Sequence, residues 1–500
     1  MSAALFTPSE SAVGIVRRLR EAGYETYLCG GCVRDALMGK QPKDYDIATA
    51  ASPDEVERIF PKTIPVGKAF GVILVAGTDE TYYEVATFRS EQGYSDGRRP
   101  DAVRFSTARE DAERRDFTIN ALFYDPFENK VIDYVGGEQD IADKRLRTVG
   151  DAEERFREDH LRLLRAVRFA ARTGFSVDAP TWSAMQRLSQ LVATVSPERI
   201  AAETEAMLTG GFSETAFRLY RDSGLLRHVL PEVEAMADVP QPPDFHPEGD
   251  VWVHTLLLLR LNDQATTGIL EPPPSFSEAA TDLDARRGME CGAFTMDDYR
   301  TGVFETRDAL AHGGEKNEMA VTLAWAGLLH DIGKPGTIEH SDRIRFNNHD
   351  LLGAEMATSV LERLRRPRKV IDWTYDLIRR HIHFSTLRKM RKSKLRRWLR
   401  GVEFPMHLEL HRMDCASSHS MLANWWFGLQ AWREERALPP ELEPLVRGGD
   451  ILSMGIPAGP EIGRLLSLVE DARLEGIITD RESALAFLRR ETSHGNPERL

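Results

Sequence analysis

The stretch that most limits what this chain can become is residues 28–49, LCGGCVRDALMGKQPKDYDIAT. Gly30 and Gly31 fall where a strand predicted over 24–29 gives way to a helix predicted from 33. Two residues without Cβ atoms there let backbone N–H groups at a helix start approach a phosphate, whose charge the helix terminus favours. Arg34, one turn in, can add a guanidinium clamp. Alone, a Gly-Gly pair is an ordinary turn. Asp44 and Asp46 change its meaning, because alternation along a strand predicted over 45–48 sends both carboxylates to one face, where they repel unless a cation lies between them. Such a pair can hold Mg2+ against a triphosphate, and metal-assisted in-line phosphoryl transfer is the matching reaction. The plain alternative is a solvated acidic turn; the glycines, Arg34 and the D-x-D taken together speak against it.

Helical and extended patterns alternate through the first 150 residues. An amphipathic helix is predicted over 9–22, strands over 72–76 and 82–88, and Ser52-Pro53-Asp54-Glu55 reads as an N-cap opening a helix through Phe60. From 152 to about 236 the pattern turns helical, with Leu161, Leu164, Val167 and Ala171 forming one stripe. The run Val239-Pro240-Gln241-Pro242-Pro243 punctuates the chain, and 262–318, which holds Pro272-Pro273-Pro274, shows no clear period and reads as a loop-rich insertion. Helical patterns then dominate to the end. The expected division is a head over 1–150, a helical neck over 151–236, a helical domain over 237–420 and a helical tail over 421–500.

With 65 Lys and Arg against 78 Asp and Glu, the net charge of −13 gives no global attraction to nucleic acid, so RNA contact must be local. Four cysteines in 500 residues make no disulfide framework. Cys29 and Cys32 form a C-x-x-C without a second pair, which weakens a zinc or redox reading. The first residues lack the apolar core of a signal peptide, and no stretch approaches the ~18 apolar residues of a membrane span, so a cytoplasmic protein without membrane contact is expected.

GGCVRDALMGKQPKDYDIAT resembles the signature of the polymerase-β-like nucleotidyltransferases of the class II CCA-adding and bacterial poly(A) polymerase family. The resemblance continues through RRDFTINALFYDP (114–126), DYVGGEQDIADKRLRTVG (133–150) and REDHLRLLRAVRFAAR (157–172). It implies an α+β head, a small mixed sheet with helices, followed by an all-α neck, HD-type domain and tail. It also implies that Asp44 and Asp46 hold the catalytic Mg2+ and that Gly31 and Arg34 touch the triphosphate of ATP or CTP. In RRDFTINAL, Arg115 can reach phosphate while Asp116 and Asn120 can hydrogen-bond a ribose hydroxyl. Asp159 and Arg162, three apart on a predicted helix, can imitate the edge of a base with Arg165 and Arg168 in support. The resemblance makes this pair the protein's template, where charges of this kind are otherwise an exposed salt-bridged face. The loop from Glu84 to Phe105, with Gly93, Gly97 and Arg98-Arg99-Pro100-Asp101, resembles the segment that complete CCA-adding members use to pass from C to A addition.

In the second half His254, the adjacent His330-Asp331 of LLHDIGKP, and Asp414 match the mononuclear metal pattern of the HD phosphohydrolase superfamily, and His349 and His381 can extend it to a second metal. An adjacent His-Asp behind the apolar run 324–329 is costly to bury unless a cation satisfies it. Imidazoles with carboxylates suit a transition metal or another divalent ion better than Mg2+ alone. His312, His340, His383 and His411 read as ordinary core or surface residues. Between 360 and 400 stand fifteen Lys and Arg against three acidic residues, and LRKMRKSKLRRWLR (387–400) offers an apolar side as well, which fits either a solvated face or a surface for RNA phosphates.

The expected function is template-independent addition or repair of the CCA at a tRNA 3′ end. The alternatives are a poly(A) polymerase or an enzyme adding only the terminal A, a phosphohydrolase with a nucleotide-binding head, and a noncatalytic RNA-binding module.

Overall fold

The structure, a computed structural model, describes residues 7–92, 97, 102–272, 294–312, 316–438 and 444–493. Gly93, the basic run at 98–101 and Pro273-Pro274 lie outside the described residues. The chain divides into two compact units, Met1–Glu234 with Arg363–Arg366, and Ala235–Glu362 with Pro367–Leu500.

The first unit opens on α1 (Glu10–Glu21), where the Ser9 hydroxyl accepts from the Ala12 N–H and Ile15, Val16 and Leu19 are buried. A seven-stranded mixed sheet follows. Its strands are β1 (Thr26–Cys29), β2 (Asp46–Thr49), β3 (Thr63–Gly67), β4 (Val72–Ala76), β5 (Tyr82–Thr87), β8 (Phe123–Asp125) and β9 (Lys130–Ile132), in the order β3-β4-β5-β2-β1-β8-β9. All neighbours are antiparallel except β2 and β5, which run parallel with Ile47 opposite Val85. A separate antiparallel hairpin, β6 (Arg89–Gln92) and β7 (Ala102–Phe105), leaves the sheet after β5. Between β1 and β2 lies α2 (Gly31–Leu37), and α3 (Pro53–Ile59) begins on the expected Ser52–Glu55 capping box with Pro53 at its first turn.

Cys29, Ala48, Phe88, Phe123 and Val149 form one apolar cluster of the head. Burial pushes the Cys29 thiol up to about 11 and Cys32 higher still, so both are packed, unreactive thiols rather than a redox pair. Past the short helices α4 (Ala108–Glu113) and α5 (Gly137–Ala142) the chain is helical through the neck, from α6 (Ala152–Glu158) and α7 (Arg162–Thr173) to Ser213–Asp222.

The second unit is helical. Leu258, Tyr299, Leu323, Leu377, Leu399, Phe404 and Trp425, drawn from seven helices, share one core. Two findings correct the sequence reading. Residues 296–312, assigned to a loop-rich insertion, form a helix that buries Tyr299, Val303, Thr306 and Leu310; the buried threonine breaks the apolar pattern. The helix Ala423–Ala437 gives Trp425, Leu429 and Trp432 to the same core, so an independent apolar cluster appears only from Val446 to Leu488. Arg412 and Glu409 are fully buried and paired at 2.7 Å, with Arg307 donating to the same carboxylate at 2.9 Å.

The basic helix Lys392–Arg400 buries Trp398 and Leu399, and its guanidiniums are largely committed within the unit. Arg396 and Arg400 both donate to Glu435, and Arg397 pairs with Asp471 at 2.8 Å. The arginines of this helix, which the sequence left open to either solvent or phosphate, therefore join helices of one unit. Among the described residues, no helix is long and apolar enough to cross a membrane.

Candidate functional site

The first unit carries an open cleft of about 1370 Å3 whose lining includes Gly30, Gly31, Arg34, Asp44, Asp46, Glu84, Arg115, Asp116, Asn120, Asp159, Arg162, Arg165 and Arg168. All twelve head and neck residues singled out from sequence are in that set, with Glu84 added. Gly30 sits at φ +71 as the N-cap of α2, and a Cβ there would stand 3.1 Å from Arg115 Nη1. Its N–H is bonded to the Leu122 carbonyl at 3.0 Å, so Gly30 shapes the turn rather than donating to a phosphate.

Asp46 is the first residue of β2, but Asp44 lies ahead of the strand, so the alternation argument is corrected. Both carboxylates nevertheless line one cleft. The register Ile47–Val85 also sets Glu84 of β5 beside Asp46. Partial withdrawal from water pushes the Asp46 carboxyl up to about 6; the Glu84 charge adds to this and Asp44 adds less, against the pull of Arg115 and Arg34. Three carboxylates crowded in this way are a donor set for hard divalent cations.

The same cleft holds a chain of charge-assisted hydrogen bonds. Arg34 donates to the Asn120 side-chain oxygen at 2.6 Å, the Asn120 amide donates to Asp116 at 3.2 Å, and Arg165 donates to Asp116 from Nε at 2.8 Å and Nη2 at 2.6 Å. Arg168 donates to Glu203 at 2.6 Å. The guanidiniums of Arg34, Arg165 and Arg168 lie 5.4, 5.1 and 4.4 Å from the ring centroid of the buried Phe169, so one aromatic side chain backs three cations. Burial opposes the Asp116 charge, yet Arg165 and Asn120 hold its carboxyl below the usual range. Arg115 is clamped by Asp111 at 3.0 Å and by the Asn120 carbonyl at 3.0 Å.

Asp159 and Arg162 do not share a helix. Asp159 is extended (φ −137, ψ 107) at the end of α6, and Arg162 begins α7. Asp159 accepts from Arg199 at 2.8 Å, while Arg162 donates to the Arg155 carbonyl at 3.0 Å and to Glu158. The break between the two helices thus presents both side chains to the cleft. His160, within that break, donates its N–H to the Gly97 carbonyl at 3.1 Å and tethers the predicted loop there.

The second unit gathers the histidine and aspartate set. His254 Nε2 stands 3.3 Å from His330 Nε2 and 3.2 Å from Asp414 Oδ1; His349 Nε2 stands 3.3 Å from His381 Nε2 and 3.6 Å from Asp331 Oδ1. Asp331 Oδ2 is 3.1 Å from His330 Nε2, so this carboxylate lies between two three-ligand groups, His254-His330-Asp414 and Asp331-His349-His381. Each imidazole has its Nδ1 engaged, His330, His349 and His381 by backbone carbonyls at 2.6 to 3.0 Å and His254 by Glu248, which leaves every Nε2 turned inward. A hydrogen bond on the nitrogen remote from the ion orients a metal-ligating histidine in this way. Burial, with the neighbouring His349 and His330, depresses His381 to about 4, as befits a neutral ligand. His411 behaves as expected of a core residue, stacked 4.7 Å from Phe384.

Sequence reasoning missed Glu84, Phe169, Glu203 and Arg199 in the cleft, and His246, Glu248, Lys334 and Gln241 around the histidines. Lys334, in the quoted LLHDIGKP, was legible; the others are single residues whose partners are set by strand order and chain return.

This fold and these two sites define a nucleotidyltransferase head joined to an HD domain. A poly A polymerase head domain matches residues 26–147, a probable RNA and SrmB-binding site of polymerase A matches 174–236, and an HD domain matches 306–411. The CCA-adding enzyme of Bacillus velezensis is 47% identical over 219 residues, 44% of this chain and 55% of that protein, and the CCA-adding enzyme of Bacillus subtilis is 48% identical over 208 residues, 41% and 52%. The chain thus spans about half the length of these relatives. The crystal structure of the Bacillus stearothermophilus CCA-adding enzyme in complex with CTP is 26% identical, with a TM-score of 0.64 over 99% of both chains; that of the Thermotoga maritima CCA-adding enzyme complexed with tRNA, at 17% and 0.55, shares the fold. In its head and neck the chain is similar to CCA-adding enzymes and poly(A) polymerases.

Proposed function

We propose that the protein adds or repairs the 3′-terminal CCA of tRNA, taking CTP and ATP and releasing pyrophosphate, in the cytoplasm. The observation that carries this reading is that Asp44, Asp46 and Glu84 share one cleft with the linked set Arg34-Asn120-Asp116-Arg165. The acidic side is the cation site. Mg2+ held there would neutralise the triphosphate and make the RNA 3′-hydroxyl a better nucleophile toward the α-phosphate.

Arg34 is the phosphate clamp, backed by Phe169. Asp116 and Asn120 meet the ribose hydroxyls, which favours ribonucleotides. Asp159 and Arg162 read the base edge, and Arg165 and Arg168 keep them company as supporting cations. The relatives named CCA-adding enzyme and the solved relative in complex with CTP support CCA addition over poly(A) synthesis. Offering tRNA ending before CCA, after C and after CC, with CTP and ATP separately, and reading product lengths tests it. Extension only of the CC-ended tRNA marks an A-adding enzyme, long A tails mark a poly(A) polymerase, and no extension of any substrate ends the proposal.

A second activity is favoured by the HD geometry. His254, His330 and Asp414 fit one divalent ion, His349 and His381 fit a second, and Asp331 can bridge them; the N and O donors suit a transition metal. Hydrolysis of phosphate esters, 2′,3′-cyclic phosphates among them, is the proposed reaction. Turnover of a cyclic phosphate with Mn2+, Ni2+ or Zn2+ tests it; failure of all three, with no metal bound, removes it.

A further inference from the structure

The loop 238–250, which joins neck and HD helices in sequence, supplies none of the proposed metal ligands, yet it is built as part of the HD centre. It is closed by hydrogen bonds between its ends: Val251 N–H donates to the Val239 carbonyl at 3.1 Å, and Asp238 N–H donates to Asp250 at 2.9 Å. The other Asp250 oxygen accepts the Val253 N–H at 2.7 Å and caps the helix that carries His254. Pro240, Pro242 and Pro243 restrict the backbone further, and His246 N–H turns back to the Pro242 carbonyl at 2.9 Å.

Three side chains of this loop connect to the metal-ligand set, Glu248 directly, His246 through Glu248 and Gln241 through Lys334. Glu248 Oε1 lies 2.7 Å from His254 Nδ1 and 2.9 Å from His246 Nδ1. Gln241 Oε1 accepts from Lys334 Nζ at 2.6 Å, and Lys334 Nζ is 2.7 Å from Asp331 Oδ2. Glu248 Oε2 is buried without a hydrogen-bond partner, so the carboxylate carries more negative charge into the interior than its two imidazoles compensate as neutral donors. A positive charge on the far nitrogen of His254, a proton or a metal ion, supplies the missing compensation. Of the four inward-turned imidazoles, His254 alone has its Nδ1 on a carboxylate; the other three use backbone carbonyls. A charged acceptor makes the stronger hydrogen bond and leaves the opposite nitrogen a better donor to metal.

We infer that Glu248 is a positioning residue of the HD centre, holding His254 in the tautomer whose Nε2 faces the ion, and that the loop 238–250 is the outer shell of that centre. The inference rests on the metal reading of the HD residues proposed above. Its test uses the full chain and competition of Mn2+ and Ni2+ against a chromophoric chelator, with bound metal counted by mass spectrometry. Glu248→Ala is expected to bind 10- to 100-fold more weakly. The nearly isosteric Glu248→Gln, which cannot accept from both imidazoles with one charged oxygen, is expected to fall in the same direction and guards against a folding defect in the alanine variant. Wild-type affinity in both variants, with His254→Ala defective, overturns the role of Glu248 while leaving the metal site standing. A wild-type chain that takes up no ion overturns both.

Discussion

Asp116 and Arg165 are joined through one carboxylate oxygen, which receives Nε and Nη2 of the guanidinium, while the other oxygen receives the Phe117 N–H and the Asn120 amide. Four donors on one side chain fix its rotamer, and Asn120 in turn fixes Arg34. Replacing Asp116 by Ala removes a charge-assisted pair and leaves Asn120 and Arg165 to rearrange. We expect a loss of ~2 kcal/mol in unfolding free energy. The preference for ribo- over deoxyribonucleotide should fall with it, measured as the ratio of kcat/KM values; an unchanged ratio would show that Asp116 only holds its neighbours.

Glu84 and Asp46 make a pH prediction. Asp46 must be ionised to hold a cation, and its carboxyl is pushed up to about 6 by partial burial and by Glu84. Apparent Mg2+ affinity should therefore fall as pH drops through about 6 and be full above it. Glu84→Gln removes the repelling charge, so the acid limb should move to lower pH even as nucleotide addition slows by about 10-fold or more. An acid limb that stays in place would rule out the coupling.

Gly97 meets His160 so closely that a Cβ at 97 would lie 2.4 to 2.9 Å from three atoms of the imidazole, and its φ of +64 disfavours other residues besides. Gly97→Ala is expected to detach the loop from the segment between α6 and α7. Since this contact is small and near the surface, stability should change by less than about 1 kcal/mol. The ratio of CTP to ATP incorporation should change more than either KM for tRNA; an unaltered ratio would contradict a link between the loop and base choice.

Gly333 lets two parts of the HD centre close on one another. A Cβ there would stand 2.3 Å from the His349 carbonyl and 2.7 Å from the Gly353 nitrogen, both backbone atoms that cannot swing aside. Gly333→Ala should separate His330-Asp331 from His349, cost on the order of 2 kcal/mol or more, and reduce bound metal in the purified protein.

Chelation should expose the contribution of the ions themselves. A ligand present at about 100 times its Kd stabilises the folded state by ~2.7 kcal/mol. Stripping metal from the wild-type chain should lower the unfolding temperature of the transition that includes the HD helices, and Mn2+ or Ni2+ should restore it. A melting profile indifferent to both treatments would contradict the metal reading.

The short-range signals in the chain were legible because neighbours in sequence settle them. Ser52 and Glu55 cap α3, Gly30 takes the positive φ that ends β1, and β4 runs over the residues its alternation predicts. Asp44 and Asp46 line one cleft, but Asp44 precedes the strand, so alternation within β2 does not account for the pair. Asp159 and Arg162 were placed on one helix because three-residue spacing fits one; the chain breaks there, and an extended Asp159 reaches Arg199 instead. The helix over 296–312 escaped notice because Thr306 occupies part of its buried face.

What residue order alone determined was the kind of chemistry: which short segments carry glycine, carboxylate, guanidinium or imidazole, and how each begins or ends its element. Which carboxylate stands third beside Asp46, and which one backs His254, was decided by the folded chain, through the parallel pairing of β2 with β5 and the closure of the loop 238–250. Caps and turns are bonds between residues a few positions apart, whereas these neighbours depend on strand order and on how the chain returns, which no local pattern records.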